Sequence, residues 1–206
     1  MHTAPQSLLQ PWQTRLLLGV ALVGAIACAI GIDGSPARGW RSLLISNFYF
    51  LSVALAGLVF VVMHQLASAG WHVVIRRIPE AMSGFLPVGG AIMLVTLLGI
   101  PALYPWSHPD PADTVLAAKS GWLNAGFFSV RTVAYLALWI FLAGRLRAVW
   151  APPAVPSASP AAPGLRWPAI FAVAFALSFS LASIDWIMSL EPHWYSTIFP
   201  WYVFSS

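Results

Sequence analysis

Ionisable side chains at the end of an apolar segment are the groups in this sequence best placed to do chemistry. The stretch Ser183–Phe199 begins apolar, carries Asp185, and continues with Glu191 and His193. Three large aromatics lie among them: Trp186, Trp194 and Tyr195. Trp and Tyr favour the membrane–water interface, and an ionisable group inside an apolar segment pairs with another charge or lines a polar cavity. The pattern indicates a membrane helix reaching the interface, with ionisable groups that pair or line a polar cavity.

A second charge, Arg131, lies within another apolar segment. It is about nine residues from the start of that segment, roughly 13 Å along a helix axis. Asp185 lies about one turn from the end of its own segment, and both approach from the same side. The spacing predicts an Arg131–Asp185 ion pair. A structural tie between two helices and a functional role remain equally open.

Two histidines lie in or near a third apolar segment. His64 is well inside it, and His72 follows beside Trp71. Residues eight apart are offset by about 80° on a helix, so the two rings are not expected to bind one metal. His64 is interpreted as a hydrogen-bonding residue in helix packing; since imidazole titrates near physiological pH, proton transfer or a hydrogen bond to a quinone carbonyl is the alternative. Without a second mid-membrane histidine, we do not expect bis-histidine haem ligation.

A Pro-containing loop, Ser107–Asp113, concentrates acidic and imidazole groups before Lys119. The simplest interpretation is a solvated connection in which Asp113 caps a short helix ending at Lys119. A docking surface for a partner, or the mouth of a proton route, is the alternative. The candidate docking residues on this face are His108, Asp110, Asp113, Lys119, Glu191 and His193.

Composition places the chain in a membrane. Of 206 residues 59% are hydrophobic and only 8% are charged, with a mean hydropathy of +0.79, whereas soluble domains carry about 25% charged residues. The basic residues are dispersed and include one Lys, which argues against nucleic acid. The single Cys28 excludes an internal disulfide and a multi-cysteine metal site. Neither a nucleotide-binding glycine loop nor a hydrolytic triad is present.

The elements that position these groups are five apolar segments. A hydrocarbon core of about 30 Å takes roughly 20 helical residues. An all-α, polytopic membrane helix bundle is therefore predicted, with an N-terminal span, a four-helix bundle and the start of a sixth helix. The predicted spans are Leu16–Ile32, Leu43–Gly70, Met82–Leu103, Trp122–Ala143 and Trp167–Leu190, with the sixth helix starting in Thr197–Ser206. Pro87 and Pro101 are expected to bend the third span or mark its ends.

The same segments divide the chain into three parts. Residues 1–42 hold the N-terminus, first span and first loop, and residues 43–190 hold the four-helix bundle. Within that bundle, 151–164 is predicted to be a flexible Pro-rich linker. Residues 191–206 form an interfacial segment leading into the sixth helix.

Basic residues predict the orientation. Six Lys or Arg lie at the N-terminus and in the second and fourth loops, against three in the first and third loops. By the positive-inside rule the N-terminus is cytoplasmic and the 107–121 loop faces outward. The first span is expected to be a retained anchor rather than a cleaved signal, with Cys28 a small core residue.

Two motifs in these segments resemble a known family. The first is Lys119-Ser-Gly-Trp-Leu-Asn-Ala-Gly-Phe-Phe-Ser-Val-Arg131, followed by Tyr135 and Trp139; the second is Asp185-Trp-Ile-Met-Ser-Leu-Glu-Pro-His-Trp-Tyr-Ser-Thr-Ile-Phe199. Asn47-Phe-Tyr-Phe and the stretch from His64 to Glu80 also fit. Together they resemble the F-type membrane subunits of bacterial alternative complex III, a quinol:cytochrome c oxidoreductase, within the polysulfide-reductase (NrfD-like) membrane-subunit group.

The resemblance implies a respiratory complex in the bacterial inner membrane. Its expected partners are a sister quinol-binding membrane subunit and periplasmic iron–sulfur and multihaem cytochrome c subunits. Those partners would hold the clusters and haem c, and this chain would bind neither, although quinone or quinol remains a candidate ligand. By the same resemblance, the residues of a proton pathway or quinone pocket are His64, His72, Arg131, Tyr135 and Asp185.

The resemblance also implies a role and a size. The expected role is a subunit, not catalytic alone, that contributes proton translocation and part of a quinone pocket. A structural anchor for the iron–sulfur and haem subunits is the main alternative, and an independent transporter is a third. Family members carry a second four-helix bundle, so the chain is expected to represent the N-terminal half of that fold.

Overall fold

The computed structural model describes residues 10–150 and 164–205, with only the backbone described for His72 and Val73. The described residues are largely helical and include no strand, which confirms the all-α fold class. Five helices are long and apolar enough to cross a membrane. The helices are α1 (Pro11–Gly34), α2 (Pro36–Leu66), α3 (Arg77–Leu103), α4 (Thr114–Lys119), α5 (Ala125–Trp150), α6 (Arg166–Leu190) and α7 (Phe199–Ser205).

Some sequence predictions fall outside the described residues. The Pro-rich linker predicted at 151–164 does so except for its last residue, and so do the first nine residues and the side chain of His72.

Two prolines interrupt α3 as the sequence predicts. The helix passes through short 3-10 turns at Ser83–Phe85 and Leu97–Gly99. A proline ring clashes with the carbonyl four residues earlier and removes one hydrogen bond. For Pro87 and Pro101 those positions are the first residues of the two turns, so the tighter winding follows directly from the prolines.

A left-handed residue ends α2. Ser68 has φ of 55°. The amide of Ala69 donates to the carbonyl of His64 (2.9 Å), and the amide of Ser68 donates to Gln65 (3.1 Å). This pair of bonds is the Schellman arrangement, which satisfies the last carbonyls of a helix and usually has glycine at the left-handed position.

Helices α2, α3, α5 and α6 run alternately up and down around one core. Close approaches occur where the sequence supplies glycine: a Cβ on Gly57 would lie 2.8 Å from the carbonyl oxygen of Pro79. Large aromatics fill the space between α5 and α6, with Trp139 and Trp186 fully buried. The core is thus built from small residues where the backbones of α2 and α3 touch and from aromatic rings between α5 and α6.

Helix α1 lies outside this core. Its main neighbour is α2, and none of its residues is buried. Cys28 is therefore exposed on the helix surface, and the prediction of a small core residue is wrong. The reason is that α1 packs against one helix instead of fitting between two.

The alternation of the helices gives the bundle two chemically different ends. We call the end formed by 104–124 and 187–198 the ion-pair end, and the end formed by 67–76, 145–150 and 164–167 the arginine end. At the arginine end, Arg76 pairs with Glu80 (2.8 Å), Arg147 donates to the Ser83 hydroxyl (2.8 Å), and Arg145 stacks on a tryptophan.

Candidate functional site

The predicted ion pair between α5 and α6 is present. Arg131 Nε lies 2.8 Å from Asp185 Oδ2, and Arg131 Nη2 lies 2.9 Å from Oδ1. The carboxylate residue is 0% exposed and the arginine 7%. This two-pronged geometry is the strongest form of a carboxylate–guanidinium contact.

Two further donors complete the carboxylate's shell. The Tyr135 hydroxyl donates to Asp185 Oδ2 (2.9 Å), and the Trp122 indole N–H donates to Oδ1 (2.9 Å). An ionised carboxylate has about four acceptor positions. All four contacts here come from side-chain donors, so the negative charge is held without water.

Trp122 also holds the arginine. Arg131 Nη1 donates to the Trp122 carbonyl (3.0 Å), and the guanidinium carbon lies 4.2 Å from the Trp122 ring centre and 4.3 Å from that of Phe127. Stacking on aromatic faces stabilises a guanidinium that has left water. Trp122 therefore contacts both members of the pair, and with 41% of its surface exposed it separates them from the outside.

Local chain geometry explains why these groups meet. Arg131 and Tyr135 are four residues apart on α5 and share one face. Helix α5 begins at Ala125, so Arg131 lies about 9 Å from its start, nearer the end than the sequence estimate of 13 Å. Trp122 lies in the turn before α5, where its amide bonds to Lys119 (2.9 Å). Asp185 lies where the α-helical part of α6 ends, and Ser189 donates to its carbonyl.

A layer of neutral hydrogen bonds supports the cluster from the core. The Trp186 indole donates to Thr132 Oγ1 (3.0 Å), and Tyr104 donates to the Trp186 carbonyl (3.1 Å). About two turns deeper, the Trp139 indole donates to Ser178 Oγ (2.8 Å). These bonds join α3, α5 and α6, and they fix the backbone from which the charged side chains extend.

The histidines are placed differently from the ion pair. His64 lies at the opposite end of the bundle, where its Nδ1 donates to the carbonyl of Phe60 (2.7 Å). A carbonyl only accepts, so Nδ1 carries a proton. The ring packs between Phe60 and Trp71, with centroid distances of 4.2 and 4.6 Å. Phe48, 16 residues before His64 on α2, packs against Trp186 beside Asp185, so His64 lies roughly 24 Å further along the bundle. The structure thus brings Arg131, Tyr135 and Asp185 into one site and leaves His64 apart from it.

The predicted helix cap in the outer loop is confirmed. Asp113 Oδ1 accepts from the amides of Val115 (3.0 Å) and Leu116 (3.1 Å), and α4 ends at Lys119. The Leu116 amide is the main reason that the pKa of Asp113 lies below its ordinary value, and His193 lowers it further.

Two contacts join this loop to the segment after α6. His193 Nε2 lies 2.7 Å from Asp113 Oδ2, and Lys119 Nζ donates to the carbonyl of Pro192. Three of the six predicted docking residues therefore hold these two segments together. Of the others, His108 contacts the Ser107 hydroxyl (3.0 Å), Asp110 accepts from the Ala112 amide (2.9 Å), and Glu191 is exposed.

The sequence interpretation missed several polar partners. Trp122 and Thr132 were not singled out, although each bonds across the α5–α6 interface. At the arginine end, the Trp150 indole donates to Gln65 Oε1 (2.8 Å). Further along the bundle, Asn47 on α2 donates to the carbonyl of Gly89 on α3 (3.0 Å). Polar residues on apolar helices were the available signal, because such groups persist in membranes when another helix satisfies them.

Neither the arrangement of possible metal ligands nor the comparison with known proteins assigns a site or a family to this chain. Among residues 10–150 and 164–205, no group of three His, Cys, Asp or Glu side chains is arranged to hold a metal ion. No protein-family model matches the chain, and the search of curated proteins finds no match. The family resemblance therefore remains a prediction from the sequence motifs.

Proposed function

We propose that this chain is an integral membrane subunit of a quinol:cytochrome c oxidoreductase and that it contributes to proton translocation. One observation carries the proposal: the two sequence motifs meet in a single buried cluster. The first motif contributes Trp122 and Arg131, followed by Tyr135, and the second contributes Asp185 and Trp186. Residues 63 and 54 positions apart in the sequence thus form one hydrogen-bonded unit.

The chemistry of the cluster supports a role in proton movement. A guanidinium keeps its proton, so the exchangeable groups are the carboxylate of Asp185 and the hydroxyl of Tyr135. For the carboxylate to accept a proton, one of its four donors must leave. The Trp122 ring is the nearest partially exposed group, so its displacement would admit water from the ion-pair end. The cluster would then act as a gated proton site, closed in the arrangement described here.

A structural anchor is the second candidate function, and one observation favours it. Four donors occupy the Asp185 carboxylate, which makes the cluster a rigid tie between α5 and α6. In this alternative the subunit holds partner subunits in the membrane and moves no protons. The two roles predict different results when the charges of Arg131 and Asp185 are removed together. The number of protons translocated per electron falls if the cluster carries protons and is unchanged if the cluster is only a structural tie.

Quinone contact at His64 would require a change in the hydrogen bonding of this histidine. The Nδ1–H of His64 is directed at Phe60, so a hydrogen bond from it to a quinone carbonyl would require that contact to break. Clusters and haem c would belong to partner subunits on the side of the ion-pair end. The cytoplasmic placement of the N-terminus, in a bacterial inner membrane, is supported by the excess of arginines at the arginine end.

Purification of the tagged full chain from membranes of its own host tests the assignment. The expected product contains c-type haem, iron–sulfur protein and a second polytopic subunit, and it reduces cytochrome c with a quinol as donor. A chain that purifies without haem and without this activity, from membranes that retain both in other fractions, would contradict the proposal.

A further inference from the structure

A cleft opens at the ion-pair end, on the outer side of Trp122. Its volume is about 290 Å³, close to the lower limit of about 300 Å³ for small-molecule pockets. It is lined by Lys119, Trp122, Leu123, Ile184, Met188, Ser189, Pro192, Trp194 and Tyr195. Apolar and aromatic side chains dominate the lining, and Lys119 is its one charged member.

The position of the cleft matches the headgroup level of a bilayer. Trp122, Trp194 and Tyr195 are partly or largely exposed around it, and Trp and Tyr concentrate where headgroups meet acyl chains. Ile184 and Met188 lie one turn apart on the last part of α6, so the cleft continues from the interface toward the apolar belt. A ligand here would have a polar end near Lys119 and an apolar end against α6.

The positive charge of Lys119 determines which polar group a ligand of this cleft should carry. An ammonium has three N–H groups, and Lys119 directs one at the Pro192 carbonyl, leaving two for a ligand. Asp113, the acidic side chain at the start of the same helix, faces His193 rather than the cleft. Glu191 is exposed and does not line the cleft. The cleft therefore presents positive charge above an apolar slot.

We propose that this cleft binds an anionic phospholipid of the surrounding membrane, with the phosphate on Lys119 and an acyl segment against Ile184 and Met188. Lipid bound here would cover the exposed edge of Trp122. This proposal does not depend on the proposed function, because it rests on Lys119, Ile184 and Met188, none of which bonds to the Asp185 carboxylate. Trp122 is the residue that the cleft shares with the cluster.

Native mass spectrometry of the detergent-purified full chain tests this site, using phosphatidylglycerol and phosphatidylcholine with identical chains. We expect one phosphatidylglycerol to be retained with about fivefold preference, the effect of one lysine near a lipid surface. Lys119→Gln keeps a donor for Pro192 and should abolish the preference. Arg77→Gln removes one exposed charge at the arginine end and should retain it.

The position of the acyl chain is tested in two further ways. One substitution fills the apolar part of the cleft, and brominated lipid reports contact by quenching tryptophan fluorescence. Met188→Trp should reduce retention of both lipids. Phosphatidylglycerol with brominated chains should quench tryptophan fluorescence in the unaltered protein, by an amount that falls in Trp194→Phe. The second measurement does not depend on the folding of the filled variant.

Three results would overturn the lipid site. The first is equal retention of the two lipids by the unaltered chain, and the second is equal effects of Lys119→Gln and Arg77→Gln. The third is displacement of phosphatidylglycerol by stoichiometric short-chain quinone with no effect of Lys119→Gln, which would assign the cleft to a quinone.

Discussion

Arg131 and Asp185 stabilise the bundle only as a pair. Moving a charge out of water costs several kcal/mol, and the partner's attraction and hydrogen bonds offset that cost. If one member is removed, the other remains buried without compensation. The burial of both residues and the four donors on the carboxylate make this site sensitive to single substitutions.

The first prediction compares the loss of one member of the pair with the loss of both. Asp185→Leu should lower the free energy of unfolding by about 3–5 kcal/mol, and Arg131→Met/Asp185→Leu should return it close to the unaltered value. Thermal unfolding in detergent measures both. Ser178→Ala is the matched control, since it removes a neutral bond between the same two helices and should cost about 1 kcal/mol. A double variant no more stable than the single one would contradict the expectation.

At the scale of elements, backbone contact sets the α2–α3 spacing. A Cβ at Gly57 would meet the Pro79 carbonyl oxygen at 2.8 Å, whereas one at Gly90 would meet only the tips of Ile140 and Leu136, 3.5 and 3.8 Å away. Gly57→Ala should therefore destabilise the protein by about 1–3 kcal/mol. Gly90→Ala should be close to neutral. Urea or thermal unfolding compares them, and equal stabilities would show that α2 and α3 adjust freely.

The loop helix α4 should lose stability in acid. Because the folded pKa of Asp113 lies below its ordinary value, its contribution is complete above the ordinary aspartate pKa near 4 and is lost as pH falls through the folded value. Hydrogen-exchange protection of the Thr114–Lys119 amides should thus decrease on acidification below about pH 4. In Asp113→Asn the protection should be lower at neutral pH and nearly independent of pH. Protection that rises in acid would contradict the cap.

Sequence patterns predicted the elements better than their partners. Apolar length located all five long helices, and prolines located the bends in α3, because both effects act within one segment. The pairing of Arg131 with Asp185 followed from depth and charge alone. The roles of Trp122 and Thr132 did not, since an aromatic turn residue and a helical threonine acquire partners only when α5 and α6 pack. The prediction that Cys28 is a core residue was wrong for the same reason, because the apolar pattern of a helix does not indicate how many other helices it packs against.

For the whole molecule, the arginine end should face the cytoplasm. The arginine end holds Arg76, Arg145, Arg147 and Arg166, and Arg77 begins α3 beside it. Arg15 lies near the start of α1, whose other end leads into α2 at the ion-pair end. In a Cys28→Ala background, Ala112→Cys should react with a membrane-impermeant maleimide from the outer side of intact spheroplasts, and Gly70→Cys should react only after lysis. The reverse labelling would invert the topology and place the lipid cleft in the inner leaflet.

The proton-to-electron ratio of the purified complex in proteoliposomes tests the central claim most directly. Arg131→Gln/Asp185→Asn removes both charges without leaving either buried alone, and Ser178→Ala is the uncharged control. We expect the paired variant to assemble and oxidise quinol with a lower ratio, while the control keeps the original ratio. An assembled paired variant with an unaltered ratio would contradict proton translocation through this cluster and leave it a structural tie.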